Sequence, residues 1–103
     1  MLYHTRMIMS KVSKAFSDQN RIKIVTFLSE GQQNVSQVAE ELNVEENLAS
    51  HHLRVLASLG FLKNDKKGRE VFYRLNEIKF VNLIKNLKKN PAFKEILLKA
   101  LEN

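Results

Sequence analysis

Asn34-Val-Ser-Gln-Val-Ala-Glu-Glu-Leu-Asn-Val-Glu-Glu-Asn-Leu-Ala-Ser-His-His-Leu-Arg-Val-Leu-Ala-Ser-Leu-Gly60 decides the fold of this chain. Apolar residues fall at Val35, Val38, Ala39 and Leu42, one face of a short helix. After a break at Asn43 the spacing of three and four resumes at Val44, Ala49, His52/Leu53, Leu56 and Leu59. Two short amphipathic helices joined by about three residues make a helix-turn-helix over roughly residues 36–59, whose second helix is built to enter a major groove. Gly60 signals a turn, and two β-rich runs follow, Phe61-Leu62-Lys63 and Val71-Phe-Tyr-Arg-Leu75. The polar stretch 64–70 between them, containing Gly68, predicts a hairpin loop longer than two residues. Helix, turn, helix and hairpin, the last over about 61–75, make a winged helix.

Three segments give this pattern a family likeness. Ala49-Ser-His-His-Leu-Arg-Val-Leu56, the following Leu59-Gly-Phe-Leu62, and Gly68-Arg-Glu-Val-Phe-Tyr-Arg-Leu75 resemble the ArsR/SmtB family of small dimeric winged-helix repressors. Phe16-Ser-Asp-Gln-Asn-Arg-Ile-Lys-Ile-Val25 is similar to that family's second helix, with Gln19-Asn20 where Pro-Thr is usual. The likeness covers roughly residues 12 to 76. It implies a dimer paired through its terminal helices and a reading helix laid on DNA.

Composition narrows the classes. At 103 residues the chain has the length of one domain, residues 1–103, and a core small enough to benefit from a partner. No apolar run reaches membrane-span length and the N-terminus lacks a signal-peptide pattern, so a cytoplasmic protein without membrane association is expected. The absence of cysteine excludes a disulfide framework and a thiolate metal site. The net charge of +6 is unevenly placed. Residues 1–16 carry +3, residues 17–60 carry −3, residues 61–76 carry +3, and the tail from Glu77 carries +3. The wing is basic and the helix-turn-helix is not.

Leu2, Met7, Ile8, Val12, Ala15 and Phe16 predict a helix over about 4–16, with His4 solvated at its start. Ser17-Asp18 is an N-cap signal. The next helix is expected to bury Ile22, Ile24, Val25, Phe27 and Leu28 and to stop at Gly31 in the left-handed region. Gln32 to Val35 should be a short extended link able to pair with the wing, and Ser36 the cap of the first helix of the motif. Asn76 can cap a helix carrying Ile78, Val81, Ile84 and Leu87 on one side. Asn90-Pro91 ends it and starts another, with Phe93, Ile96, Leu97, Ala100 and Leu101 on its apolar face. The helices over about 4–16 and 77–102 are expected to pair two copies of the chain.

On a helix from Glu45 to Ser58 the face opposite Ala49, Leu53 and Leu56 offers Glu46, Asn47, Ser50, His51 and Arg54. Asn can pair with adenine through two hydrogen bonds, and Arg with guanine or a phosphate. Asn47, Ser50, His51 and Arg54 are therefore the candidate groove contacts, and His52 is placed with the core. Lys66, Lys67 and Arg69 at the wing are candidate backbone contacts. In the metal-sensing relatives that the resemblance brings in, two cysteines flank a valine just before the motif's first helix. Asn34 and Ser36 stand there instead, and neither is a useful soft-metal ligand. Other such members carry Asp and His ligands on the helix after the wing, where 76–89 offers Glu77 but neither of those. No metal and no cofactor is expected. With no nucleophile–base set or phosphate loop, neither is catalysis. The sequence thus predicts a mainly α protein with a small β-hairpin wing: a dimeric repressor that binds double-stranded DNA at a pseudo-palindromic operator without sensing metal. The alternative is a winged-helix module whose partner is a protein, favoured by the acidic helix-turn-helix and by Glu45 and Glu46.

Overall fold

The computed structural model describes residues 2–102, and side chains throughout that range except those of residues 2–5 and 101, which leaves the expectation for His4 outside it. The elements run α1 (Leu2–Ala15), α2 (Gln19–Leu28), β1 (Gln33–Asn34), α3 (Val35–Leu42), α4 (Glu46–Ser58), β2 (Leu62–Lys67), β3 (Glu70–Leu75), α5 (Glu77–Lys88) and α6 (Pro91–Leu101). The three strands form an antiparallel sheet in the order β1-β3-β2. This is a winged helix-turn-helix.

Local chemistry sets the element ends. Asp18 caps α2 by accepting the Asn20 amide at 2.7 Å. Asn34, not Ser36, caps α3: its side chain accepts from the Gln37 amide at 2.7 Å, and the Gln37 side chain accepts the Asn34 amide at 2.8 Å. A glutamine at the third helical position completes the reciprocal pair, which selects Asn34 over a serine two residues on. Asn43 closes α3 in the left-handed region at φ 54, tolerated because its short polar side chain suits that conformation. Gly31 has φ 140, positive as the stop signal requires but well beyond the left-handed helical basin, and so a glycine conformation.

The core is built from Ile24 and Leu28 of α2, Val38 and Ala39 of α3, and Ala49, Leu53 and Leu56 of α4, closed by Ala15, Phe61, Leu62 and Tyr73. Ile22 does not join it and is 47% exposed. At about 100° per residue it lies almost opposite Ile24, so one stripe cannot hold both. Phe61 is fully buried where α1, α4, the wing and α5 meet. Its ring stands edge-on to Phe16 and tilted to Phe80, with centroids 5.4 Å away in each case.

The wing departs most from the sequence reading. β2 continues through Lys67 and β3 begins at Glu70, leaving a two-residue loop, Gly68-Arg69, where a seven-residue loop was expected. Positive φ at Gly68 (63°) and not at Arg69 is the type II′ pattern, which matches the twist of paired strands. Asn64, Asp65, Lys66 and Lys67 are poor strand formers, yet each faces a β-competent partner or a charge across the ladder. Lys66 lies opposite Val71 and Asp65 opposite Phe72, while Asp65 also accepts from Arg74 at 2.9 Å.

Beyond the wing, Asn76 caps α5 and its side-chain amide donates to the Gly60 carbonyl at 2.9 Å, pinning the helix start to the turn after α4. The single apolar side expected of α5 is split. Phe80 and Leu83 lean on the core, Leu87 is half-buried, and Ile78, Val81 and Ile84 face solvent. Asn90 caps α6 with Pro91 at its first position.

Candidate nucleic-acid interface

Helix α4 is divided cleanly. Ala49, His52, Leu53 and Leu56 are buried against α2 and α3. Successive residues turn by about 100°, so Asn47, His51 and Arg54 form the line directly opposite that stripe. All three are exposed. Glu46 and Ser50 sit on one flank, Glu46 exposed and Ser50 half-buried, so Ser50 is less accessible than the pattern alone suggested. Leu48, on the other flank, is 43% exposed, an apolar side chain on the outer surface that the three-and-four reading passed over. The signal was available, since Leu48 lies about 100° from Ala49 and off the core stripe.

The helix begins one residue later than expected. Glu45 is the N-cap in extended conformation, and its side chain makes no capping hydrogen bond. Glu46 lines a cleft of about 220 Å³ between the start of α4 and the wing, together with Asn34, Arg69 and Glu70. Arg69 thus borders a cleft with two acids, whereas Lys66 and Lys67 lie further along the strand. Lys67 Nζ sits 5.1 Å from the centre of the Phe72 ring, a cation–π distance. Among the described residues Asp65 is engaged by Arg74, while Lys66, Lys67 and Arg69 make no ion pair. The wing thus presents three cations without an ion pair, Arg69 in a cleft shared with Glu46 and Glu70, beside a helix whose outward ridge is Asn-His-Arg. The start of α4 and the wing tip border one cleft, and β1, which pairs with β3, runs directly into α3.

Behind that ridge lies a polar cluster linking three elements. His52 is 5% exposed. Its Nδ1 is 3.2 Å from a terminal nitrogen of Arg21, and its Nε2 is 3.8 Å from Asp18 Oδ1. Burial lowers the His52 pKa below the ordinary histidine value; Arg21 and His51 act in the same direction, and Asp18 opposes them. The placing of His52 with the core was sound. Its partners, 31 and 34 residues away in sequence, carry no pattern that a local reading can detect.

Residues 18–64 match the family model described as bacterial regulatory protein, arsR family. Among curated proteins, a Staphylococcus aureus cadmium resistance transcriptional regulatory protein CadC homolog is 44% identical over 72 residues, 69% of this chain and 60% of the relative. The match thus spans less than two thirds of that relative's length. The transcriptional repressor SdpR of Bacillus subtilis is 35% identical over 68 residues, 66% of this chain and 76% of the relative. Among solved structures, an ArsR-like transcriptional regulator from Rhodococcus sp. RHA1 superposes with a TM-score of 0.76 at 28% identity, covering 95% of this chain and 92% of that one. The helix-turn-helix, the hairpin wing and these likenesses agree, and the chain belongs to the arsR family of bacterial transcriptional regulators.

Proposed function

We propose that this chain is a cytoplasmic repressor that pairs with a second copy through its terminal helices and lays two α4 helices in successive major-groove turns of a pseudo-palindromic operator. The observation that carries this reading is the exposed Asn47–His51–Arg54 ridge, set directly opposite a buried stripe on a helix whose start borders the basic wing. Asn47 suits adenine and Arg54 suits guanine or a phosphate. His51 and Ser50 serve base edges or backbone, and Leu48 suits a thymine methyl group. Lys66, Lys67 and Arg69 follow the phosphate backbone, fixing register without reading sequence. Pairing is supported by Ile78, Val81 and Ile84 on α5 and by Ile96 and Leu98 on α6, all exposed apolar side chains.

The cadmium relative raises the question of a metal effector. The donors at the corresponding place in this chain do not fit one. Asn34 spends its oxygen on the Gln37 amide and its nitrogen on Glu70 at 3.1 Å. Ser36 is an exposed neutral hydroxyl, and soft divalent ions prefer thiolates. Repression here is therefore independent of metal.

Selection of bound duplexes from a random pool, with and without chelator, tests the whole reading. The expected product is a pair of inverted half-sites about 10 base pairs apart, centre to centre, recovered equally under both conditions. Recovery of no enriched sequence would remove the DNA reading and favour a protein partner. Enrichment under only one of the two conditions would restore the metal.

A further inference from the structure

We infer that Arg21 and His52 form a strut that sets the angle of the reading helix against the end of α1, and that the strut holds only while His52 is neutral. It rests on the reading of α4 as the groove helix.

The geometry of Arg21 is the starting point. Its Nε donates to the Ala15 carbonyl at 2.9 Å, and one terminal nitrogen donates to the Lys14 carbonyl at 3.1 Å and to Ser17 Oγ at 3.3 Å. The last carbonyls of a helix have no partner within it, so this guanidinium closes the C-terminal end of α1. The other terminal nitrogen reaches His52 Nδ1 at 3.2 Å. One planar group thus spans three elements: it sits on α2, caps α1 and holds a buried ring on α4. Lysine could not do this, because it lacks the rigid fork.

Guanidinium nitrogens only donate, so His52 Nδ1 must be the acceptor and the ring proton must sit on Nε2. That nitrogen faces Asp18 Oδ1 at 3.8 Å, and Asp18 is itself fixed as the cap of α2. A second proton, on Nδ1, would remove the acceptor and set two cations 3.2 Å apart. The charged or titratable groups facing His52 are Arg21 and Asp18 from α2 and His51 from α4, the last with ring centroids 5.6 Å apart. α1 contributes only carbonyls, which reach His52 through Arg21. Asp18 would welcome an imidazolium, but its side chain is 39% exposed and its attraction is weakened by solvent. Burial works against the charged ring as well.

His52 lies on the inner side of the helix whose outer side carries Asn47 and Arg54. Recognition tolerates displacements of only about half an ångström, so the tilt fixed at His52 decides whether those side chains meet base edges. Because the strut ends on α1, it also ties that tilt to the helix proposed to pair the two copies. Acidification should therefore reduce discrimination rather than attraction. A histidine that merely touches phosphate would do the reverse, binding DNA more tightly as it gains charge.

The test is the ratio of affinities for the selected operator and for random duplex, followed from about pH 7.5 down to about pH 4.5, because burial moves protonation of His52 below the ordinary histidine range. In the native protein the ratio should fall roughly tenfold, the effect of losing one hydrogen bond to a charged group. His52→Gln, whose amide oxygen can accept from Arg21 without titrating, should hold it level. A parallel fall in His52→Gln and the native protein, or a ratio that rises in acid, would overturn the inference. Nitrogen-15 spectroscopy of the native ring decides the matter even if the variant does not fold. Protonation at Nε2 alone is expected at neutral pH, and a ring protonated at Nδ1 would sink the strut. If no duplex is enriched at all, the groove-helix reading fails and the ring's tautomer alone judges the contact.

Discussion

Helices α4 and α5 have nearly the same length, 13 and 12 residues, and similar aliphatic content, yet they face their surroundings differently. Four residues of α4 are buried in one stripe and its opposite side is polar. None of the α5 residues is buried; Phe80 and Leu83 lean on the core while Ile78, Val81 and Ile84 are bare on another side. The lesson is that amphipathicity alone does not say where an apolar face goes. On α4 the face is consumed inside the chain, which frees the polar side for a charged partner. On α5 the chain supplies only enough surface for one of two apolar sides. A monomer rarely leaves a contiguous apolar patch uncovered without an interaction to fill it.

The strongest way to break this comparison is to charge the bare side of α5. Val81→Glu with Ile84→Glu should leave the fold intact and abolish pairing, so sedimentation should show a single 12.0 kDa species. Operator affinity should drop on the order of 10² to 10⁴-fold, the advantage of linking two binding sites. A native protein that sediments as the same 12.0 kDa species would show that α5 waits for something other than a second copy.

Stability sharpens the contrast next. Leu53 has no exposed surface, so Leu53→Ala should cost about 2–5 kcal/mol in urea unfolding, by lost burial and by the cavity left behind. Ile78 is 65% exposed, and Ile78→Ala should change stability by no more than about 0.5 kcal/mol. Both should be measured in the charged α5 background, where pairing cannot contribute. Equal costs would mean that the two apolar faces are not different after all.

The division between the helices also explains what could be read in advance. The α4 stripe was legible because its contacts are local in pattern: Ala49, Leu53 and Leu56 repeat at helical spacing whatever they touch. The two sides of α5 were not, since Phe80 and Ile78 differ only in whether Phe61 lies within reach. The wing was underread for a related reason. Asn64 to Lys67 have little strand propensity of their own and are drawn into β2 by Val71, Phe72 and Arg74 on the neighbouring strand. Asn34 and Ser36 are both good caps, and only Gln37 at the third position distinguishes them. The candidate contact residues were named from helical phase, and phase places Asn47, His51 and Arg54 at the centre of the outer face, with Ser50 towards its edge.

The wing offers a smaller, graded effect. Lys66→Ala, Lys67→Ala and Arg69→Ala should each weaken binding to every duplex alike and reduce the salt slope by about one unit per protomer. Arg69, which borders a cleft with Glu46 and Glu70, should give the smallest change of the three. A changed base preference with an unaltered slope would make that residue a reader of bases rather than of phosphates.

The smallest effect expected belongs to the acidic start of α4. Glu45 is its N-cap and Glu46 stands in its first turn. Acids suit a helix N-terminus, whose free amides carry partial positive charge. Glu45, however, makes no side-chain cap bond, so it adds charge there without satisfying an amide. Glu46 lines the same cleft as Arg69, without an ion pair to it. Near phosphate both carboxylates repel, and either gains only where a cytosine amino group replaces its lost water. Random duplex offers that replacement rarely; an operator selected for this helix can offer it every time. Changing both residues to Gln should therefore tighten binding to random duplex a few-fold, within the range of one phosphate contact, and tighten operator binding less. Titration of both duplexes at one salt concentration measures it. A double variant that loses operator affinity and gains nothing on random DNA would place a glutamate in an essential base contact. One that changes neither would mean that the start of α4 stays clear of the duplex, and the acidic face would then belong to a protein partner.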